Sequence, residues 1–442
     1  MDMASRTYLD HLGSLVKGGR ITGSALDDMV RPILAAKFRL GLFEHPYVDE
    51  SLLPKVLYTQ ENRALARTAA EESAVLLRNE GQVLPLAKGR YKTIAIIGPL
   101  AESPADLLGS WTTMGMAPEA VTLVQGLHNK LPGSKIEYAP GVEMRKTYLS
   151  MFDDFMGSKP EPPWPAERAE AEFAKALKLA KQSDLIILTA GELASMSGEM
   201  ASQSSLELPG NQQKLMEAIA ATGKPVVLVL INGRPLNITW AAAHMPAILE
   251  VWHPGTEAGN AIADLLFGDA APGGKLPITW PRSVGQVPIY YAHTLSHDPK
   301  NQARRFWDKE SSPLFPFGFG LSYTTFSFAN LRVSKSEVKM REGLDVSVDV
   351  ENTGAKPGVE VAQLYIHQQS GSASRPVREL KGFQRISLAP HEKQTLHFSL
   401  GKDDLTYWNS AARKAVEDAS QFDVWAGDDS NAQLHASFAV VP

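Results

Sequence analysis

Four short apolar runs constrain this chain more than anything else in it. They are IAII within KTIAIIG (residues 92–98), LIILTA (185–190), VVLVLI (226–231) and AILEVW (247–252). Each has the length of a strand buried on both faces, and none approaches the about 20 residues needed to span a bilayer. Helix-like stretches at 166–181, charged and alanine-rich, and at 212–221 lie between them, and AGNAIADLLF at 258–267 follows the last. Buried strands alternating with helices predict an α/β layered domain on a largely parallel sheet. A further helix is expected over 61–79, ended by Gly81. The segment GSKPEPPWP (157–165) is expected to be an exposed insertion.

The flanks differ. Before residue 50, Leu26, Met29, Val30, Ile33 and Leu34 recur at helical spacing behind a capping-box-like Ser24 and Asp27, with Gly41 as a stop. Pro32 should kink that helix. Such a stretch cannot bury its own apolar face and needs something to pack on. After about residue 331 the pattern changes to period two. Leu344, Val346, Val348 and Val350 alternate, as do Leu396, Phe398 and Leu400, and again Leu434, Ala436, Phe438 and Val440. Short alternating strands with turns between them predict an all-β sandwich. The expected division is therefore residues 1–50, 51–330 and 331–442.

The 442 residues carry a net charge of −5 and no cysteine. There is no basic surplus for a nucleic-acid backbone, and disulfides, thiolate nucleophiles and cysteine metal sites are excluded together. Several short motifs also fail. Gly98 follows a strand without completing G-x-G-x-x-G, no phosphate-loop signature occurs, and no G-x-S-x-G elbow supports a serine nucleophile. The eleven histidines show no metal-ligand spacing, and His244 and His253 are expected to be ordinary side chains. Trp111, Trp252 and Trp307 have faces on which a sugar ring can stack, but core packing is the default for each. No metal or organic cofactor is implied.

The most informative loop is GELASMSGEMASQSSLELPGNQQ (191–213), which leaves the carboxyl end of a strand, where ligands of such sheets bind. It carries Glu192, Glu199 and Glu207. A carboxyl on such a loop can reach into a neighbouring site as a general acid. Three solvated surface carboxylates are the ordinary alternative.

Longer motifs carry a resemblance. ESAVLLRNEGQVLPL (72–86), LPGNQ (208–212), KPVVLVLINGRPL (224–236), GTEAGNAIADLLFGDAAPGGKLPITWP (255–281) and FPFGFGLSYTTF (315–326) resemble glycoside hydrolase family three, of the β-glucosidase and β-xylosidase type. ELKGFQRISLAP (379–390) resembles its fibronectin-type-III-like C-terminal domain. The resemblance implies a three-layer α/β sandwich followed by an all-β fibronectin-like sandwich, normally preceded by a (β/α)8 barrel. It also implies a retaining mechanism with two carboxylates about 5 to 5.5 Å apart.

Carried over residue by residue, Glu199 in SGEMASQSS matches the acid/base position, and the first step requires it in its neutral form. Glu192 is the runner-up, and Glu207 falls on a structural position. The family often has arginine where this chain has Gln203. Arg304, Arg305 and Trp307, before FPFGFGLSY, are expected to flank the substrate.

The nucleophile of the family is an aspartate in a Ser-Asp-Trp or Ser-Asp-Tyr motif on the barrel, and none is found here. Ser183-Asp184 lacks the aromatic and precedes a sandwich strand, so it reads as a helix-to-strand connection. RPILAAKFRLGLFEHPYVDE (31–50) resembles the closing helix and linker of the barrel. Met1 is thus expected to be an internal methionine of a longer frame, with about 300 or more residues of barrel absent, since whole (β/α)8 barrels run to about 250 residues or more.

The expected function is hydrolysis of terminal β-linked sugars, with this chain supplying the acid/base and not the nucleophile. The alternatives are a non-catalytic glycan-binding or interaction fragment, or one half of a split enzyme. The expected partners are a β-linked oligosaccharide or glycoside and a barrel in trans or a second copy, with no nucleic acid and no membrane. Relatives of this type are often periplasmic or secreted, although the opening MDMASRTYLDHLG shows no signal pattern.

Overall fold

The computed structural model describes residues 3–112, 114–146, 161–294 and 306–442, with Leu149, Asp153, Gly157 and Lys159 between them. The chain divides into two compact units, Met1–Asn62 and Arg63–Pro442.

The first unit is helical. Its longest helix is Gly23–Arg39, with Pro32 inside it. The cap is Thr22 rather than the expected Ser24. Thr22 keeps an extended backbone, and its hydroxyl accepts from the Ala25 N–H at 3.1 Å, so Ser24 is already helical. Gly41 takes φ +66° just beyond the helix, as a stop requires. Met29, Val30, Ile33, Leu34 and Phe38 are exposed, and no described residue of this unit is buried.

The second unit begins with a six-stranded sheet of β1 (Val75–Asn79), β2 (Thr93–Ile97), β3 (Lys135–Ala139), β4 (Leu185–Gly191), β5 (Val226–Ile231) and β6 (Ala247–Glu250). Their order is β1-β6-β5-β4-β2-β3. Neighbours from β2 to β6 run parallel, and β1 lies antiparallel against β6 at the edge. Every residue of β4, β5 and β6 is buried, and alternation along the strands says why. Ile186, Leu188, Leu228 and Leu230 face helices Ala166–Gln182 and Gln212–Ala220. Leu185, Ile187, Val227 and Val229 face helices Leu123–Lys130 and Ala258–Phe267. The result is the three-layer α/β sandwich.

One expected element is corrected. The helix expected over 61–79 is a helix at Gln60–Ser73 followed by strand β1. The run Ala74–Leu77 is apolar on every side, so periodicity cannot separate helix from strand there, and pairing with β6 decides it.

Helices Leu123–Lys130 and Ala258–Phe267 cross at two glycines. A Cβ added to Gly126 would lie 2.1 Å from the Gly259 carbonyl oxygen, with backbone and not a flexible side chain in the way. Gly126→Ala is therefore expected to destabilise the unit by about 1–3 kcal/mol or more. Urea unfolding checks this, and an unchanged midpoint would contradict it.

From Phe326 onward the unit is β apart from the four-residue helix Lys402–Leu405. The strands are β7 (Phe326–Val333), β8 (Glu337–Lys339), β9 (Leu344–Asn352), β10 (Gly358–Gln368), β11 (Glu379–Leu388), β12 (Lys393–Leu400), β13 (Tyr407–Asn409), β14 (Lys414–Val416), β15 (Ser420–Gly427) and β16 (Leu434–Val441). They form sheets ordered β11-β10-β15-β16-β8 and β12-β9-β7, with a β13–β14 hairpin. Val346, Val348, Val350, Leu396 and Leu400 meet Leu364, Phe422 and Phe438 between the sheets. This sandwich is tied to the α/β layers by Lys275 Nζ on the Glu360 carboxylate at 2.8 Å. Gln363 Nε2 also donates to the Gly318 carbonyl at 3.0 Å.

Candidate active site

The three central strands of the α/β sheet end side by side, and a polar residue follows or closes each of them. Glu192 follows β4, Asn232 follows β5 and Glu250 closes β6. All three are fully buried. Asn232 Nδ2 donates to the Glu250 carboxylate at 3.0 Å, and the Trp252 N–H donates to it at 2.7 Å. Burial pushes the Glu250 carboxyl up to about 8, and the Glu192 charge adds to that. Burial also pushes the Glu192 carboxyl up, against the pull of Arg234, the Gly233 N–H and Gln203. His253 Nδ1 donates to the Asp106 carbonyl at 2.9 Å, and burial pushes its imidazole down.

Above this buried layer lies the loop with the candidate acid. Glu199 is exposed at its crest. Arg234, three residues past β5, spans the base of the loop. Its Nε lies 3.2 Å from the Glu192 carboxylate, and its Nη2 donates to the Met196 carbonyl and, at 2.7 Å, to the Ala201 carbonyl. Gln203 Nε2 donates to Glu192 at 2.9 Å and to the Met196 carbonyl at 3.3 Å. Asp106 holds the start of the loop, accepting from the Ala194 N–H at 2.8 Å. Gly198 takes φ +98°, and a Cβ there would lie 3.7 Å from Trp111 Cε2. Trp111 is 70% exposed, so core packing, the default for it, does not hold. An aromatic face thus stands open beside the residue next to Glu199.

The other sequence candidates are distributed as follows. Glu192 is at the same strand end as Glu199 but is sealed beneath the loop. Glu207 is exposed and accepts from Asn237 Nδ2 at 2.8 Å. Trp307 is 99% exposed, again not core packing. Arg304 and Arg305 lie outside the described residues. Asp184 accepts from the Lys92 and Thr93 N–H groups at 3.0 Å each, before the first residue of β4. The seven residues of β4 separate it from Glu192, eight steps or about 26 Å at strand spacing. A retaining pair needs about 5 to 5.5 Å, so Asp184 is not a partner of the Glu199 end.

A family profile described as the glycosyl hydrolase family 3 C-terminal domain matches residues 74–323, more than half of the chain. The chain belongs to glycosyl hydrolase family 3. A fibronectin type III-like domain profile matches residues 360–430. The chain is 39% identical over 460 aligned residues to a periplasmic β-glucosidase of Salmonella typhimurium, covering 100% of this chain and 59% of that protein. It is 38% identical to a β-xylosidase of Formosa agariphila over 92% of this chain and 54% of that one. Among solved structures, a Listeria innocua β-glucosidase in complex with isofagomine matches with TM-score 0.85 and 32% identity. That match covers 100% of this chain and 59% of that one. This family 3 chain therefore spans less than two thirds of the length of these relatives.

Sequence reasoning singled out the loop of this family 3 chain and Glu192 beneath it, but not the rest of that buried layer. Arg234, Asn232 and Glu250 were not singled out, although a signal existed: each follows or closes an apolar strand at the carboxyl edge of the sheet. Arg234 lies inside the motif KPVVLVLINGRPL, three residues past the apolar run.

Proposed function

We propose that this chain carries the proton-donor half of a retaining β-glycosidase site, with Glu199 as the acid/base. The observation that supports it best is an exposed carboxyl on a loop at the carboxyl end of β4, with a buried polar layer holding both sides of the loop. The neutral Glu199 carboxyl gives its proton to the glycosidic oxygen as the bond to the anomeric carbon breaks. The resulting carboxylate then takes a proton from the water that attacks the glycosyl intermediate. Trp111, open beside Gly198, offers a face on which the leaving sugar stacks. The nucleophile is an aspartate from outside these residues, on a barrel joined to this chain or supplied in trans. The exposed Met29, Ile33 and Phe38 of the first unit fit a chain with such a partner. The substrate class is a terminal β-linked glucoside or xyloside.

The test is hydrolysis of a chromogenic aryl β-glucoside by the purified chain, alone and combined with a family 3 barrel. We expect no turnover by the chain alone and turnover on combination. Turnover by the chain alone that survives Glu199→Gln would overturn the reading.

A further inference from the structure

We infer that Arg234 is the positioning residue of the Glu199 loop, and that Glu192 and Gln203 hold Arg234 and the loop in register. The inference rests on Glu199 being the proton donor.

Arg234 Nη2 donates to two carbonyls, those of Met196 and Ala201. These flank the segment Ser197–Gly198–Glu199–Met200, so one nitrogen ties the loop together across its neck. The backbone bonds made by that segment and its far flank are long, although Met196 N–H reaches the Leu193 carbonyl at 2.9 Å. Ser197 N–H reaches the Ala194 carbonyl at 3.3 Å, and Ala201 N–H reaches that of Gly198 at 3.3 Å. Two residues of that four-residue segment also have positive φ, Gly198 and Met200, the latter at φ +57°. A methionine there is a conformation that surrounding contacts must impose. The guanidinium neck is the contact placed to do so.

Glu192 supplies what makes a half-buried guanidinium tolerable. Its side chain is fully buried and lies 3.2 Å from Arg234 Nε, so the cation is neutralised where water does not reach it. Gln203 closes the circuit, linking the far side of the loop to Glu192 and to the same Met196 carbonyl that Arg234 holds. Glu192 has no route to a sugar from this position. Its carboxylate orients a cation, and that is a positioning task.

The experiment has two arms. Hydrogen exchange on the 442-residue chain compares the parent with Arg234→Met and Arg234→Lys. Arg234→Met is expected to speed exchange of the Met196, Ser197 and Ala201 amides about tenfold or more, with β4 and β5 unchanged, and Arg234→Lys to restore part of the protection. Unchanged loop exchange, or acceleration spread evenly over the sheet, would overturn the clamp.

The second arm uses the chain combined with a barrel. Arg234→Met should lower kcat/KM on cellobiose far more than on a 2,4-dinitrophenyl glucoside, whose departure needs no proton. A uniform loss on both substrates would overturn the positioning role. Should Glu199→Gln also fail to separate the two substrates, the acid/base reading falls, and the exchange arm still decides whether Arg234 orders the loop.

Discussion

Glu199→Gln, in this chain combined with a barrel, is expected to slow hydrolysis of cellobiose by about 10²–10⁴-fold. The same change should scarcely slow glycosyl transfer from 2,4-dinitrophenyl β-glucoside, because that phenolate leaves without a proton. The difference comes from where the acid acts. Glutamine keeps the shape of Glu199 and can donate a hydrogen bond, but it cannot release a proton to the departing oxygen. It also cannot remove one from water in the second step. The glycosyl intermediate should therefore persist on an activated substrate, and a small anionic nucleophile such as azide should discharge it. Equal rates of variant and parent on cellobiose would remove Glu199 from the mechanism. Glu192→Gln makes a useful companion, because a buried positioning carboxylate predicts loss of loop order without azide rescue.

The second large effect concerns stability and its pH dependence. Glu250 is fully buried, and its carboxyl is pushed up to about 8 from an ordinary 4.5. Between those values the folded chain holds a proton that the unfolded chain has released. Stability contributed by this group therefore falls as pH rises from about 4.5 and is lost by about 8. Glu250→Gln has no such proton. The variant should gain on the parent steadily from pH 5 to pH 8.5. A tenfold displacement of a proton equilibrium is worth about 1.4 kcal/mol, so the gain over this span is several kcal/mol.

Asn232 Oδ1 is buried without a hydrogen-bond partner among the described residues. Its Nδ2 donates to the Arg234 carbonyl at 2.9 Å as well as to Glu250, so rotating the amide to accept from a neutral group at position 250 gives up the bond to Arg234 and offsets part of the gain. Denaturant unfolding of both proteins across the pH range provides the check, and parallel curves would refute the assignment.

The strands of the α/β sheet were legible because burial on both faces writes an unmistakable run. VVLVLI is β5, residue for residue. The β sandwich was legible for the opposite reason, since one buried face writes alternation, as in Leu344 to Val350. Strand β3 was not, because KIEYA is an edge strand with little to bury. β1 hid in an apolar stretch that continued a helix. In the proposed site, Glu199 was singled out by its resemblance to a family motif, whereas the layer under it consists of single residues far apart in sequence. Glu192, Asn232 and Glu250 become neighbours when parallel strands end in line, a fact of topology that no local pattern records.

Strand β1 has a consequence for synthesis. It leaves the ribosome first among the strands of its sheet, yet its partner β6 is the last of them, roughly 175 residues later in the register Val75 with Glu250. Leu76 also bridges to Leu321, and the Ala74 carbonyl accepts from Gly274. At about 5–20 residues per second, β1 waits on the order of ten seconds or more before anything can pair with it. During that interval VLL is an unpaired apolar edge in a crowded cell. Slowing translation between residues 80 and 250 should lengthen that exposure and lower the soluble yield, whereas a chaperone that shields nascent apolar segments should recover it.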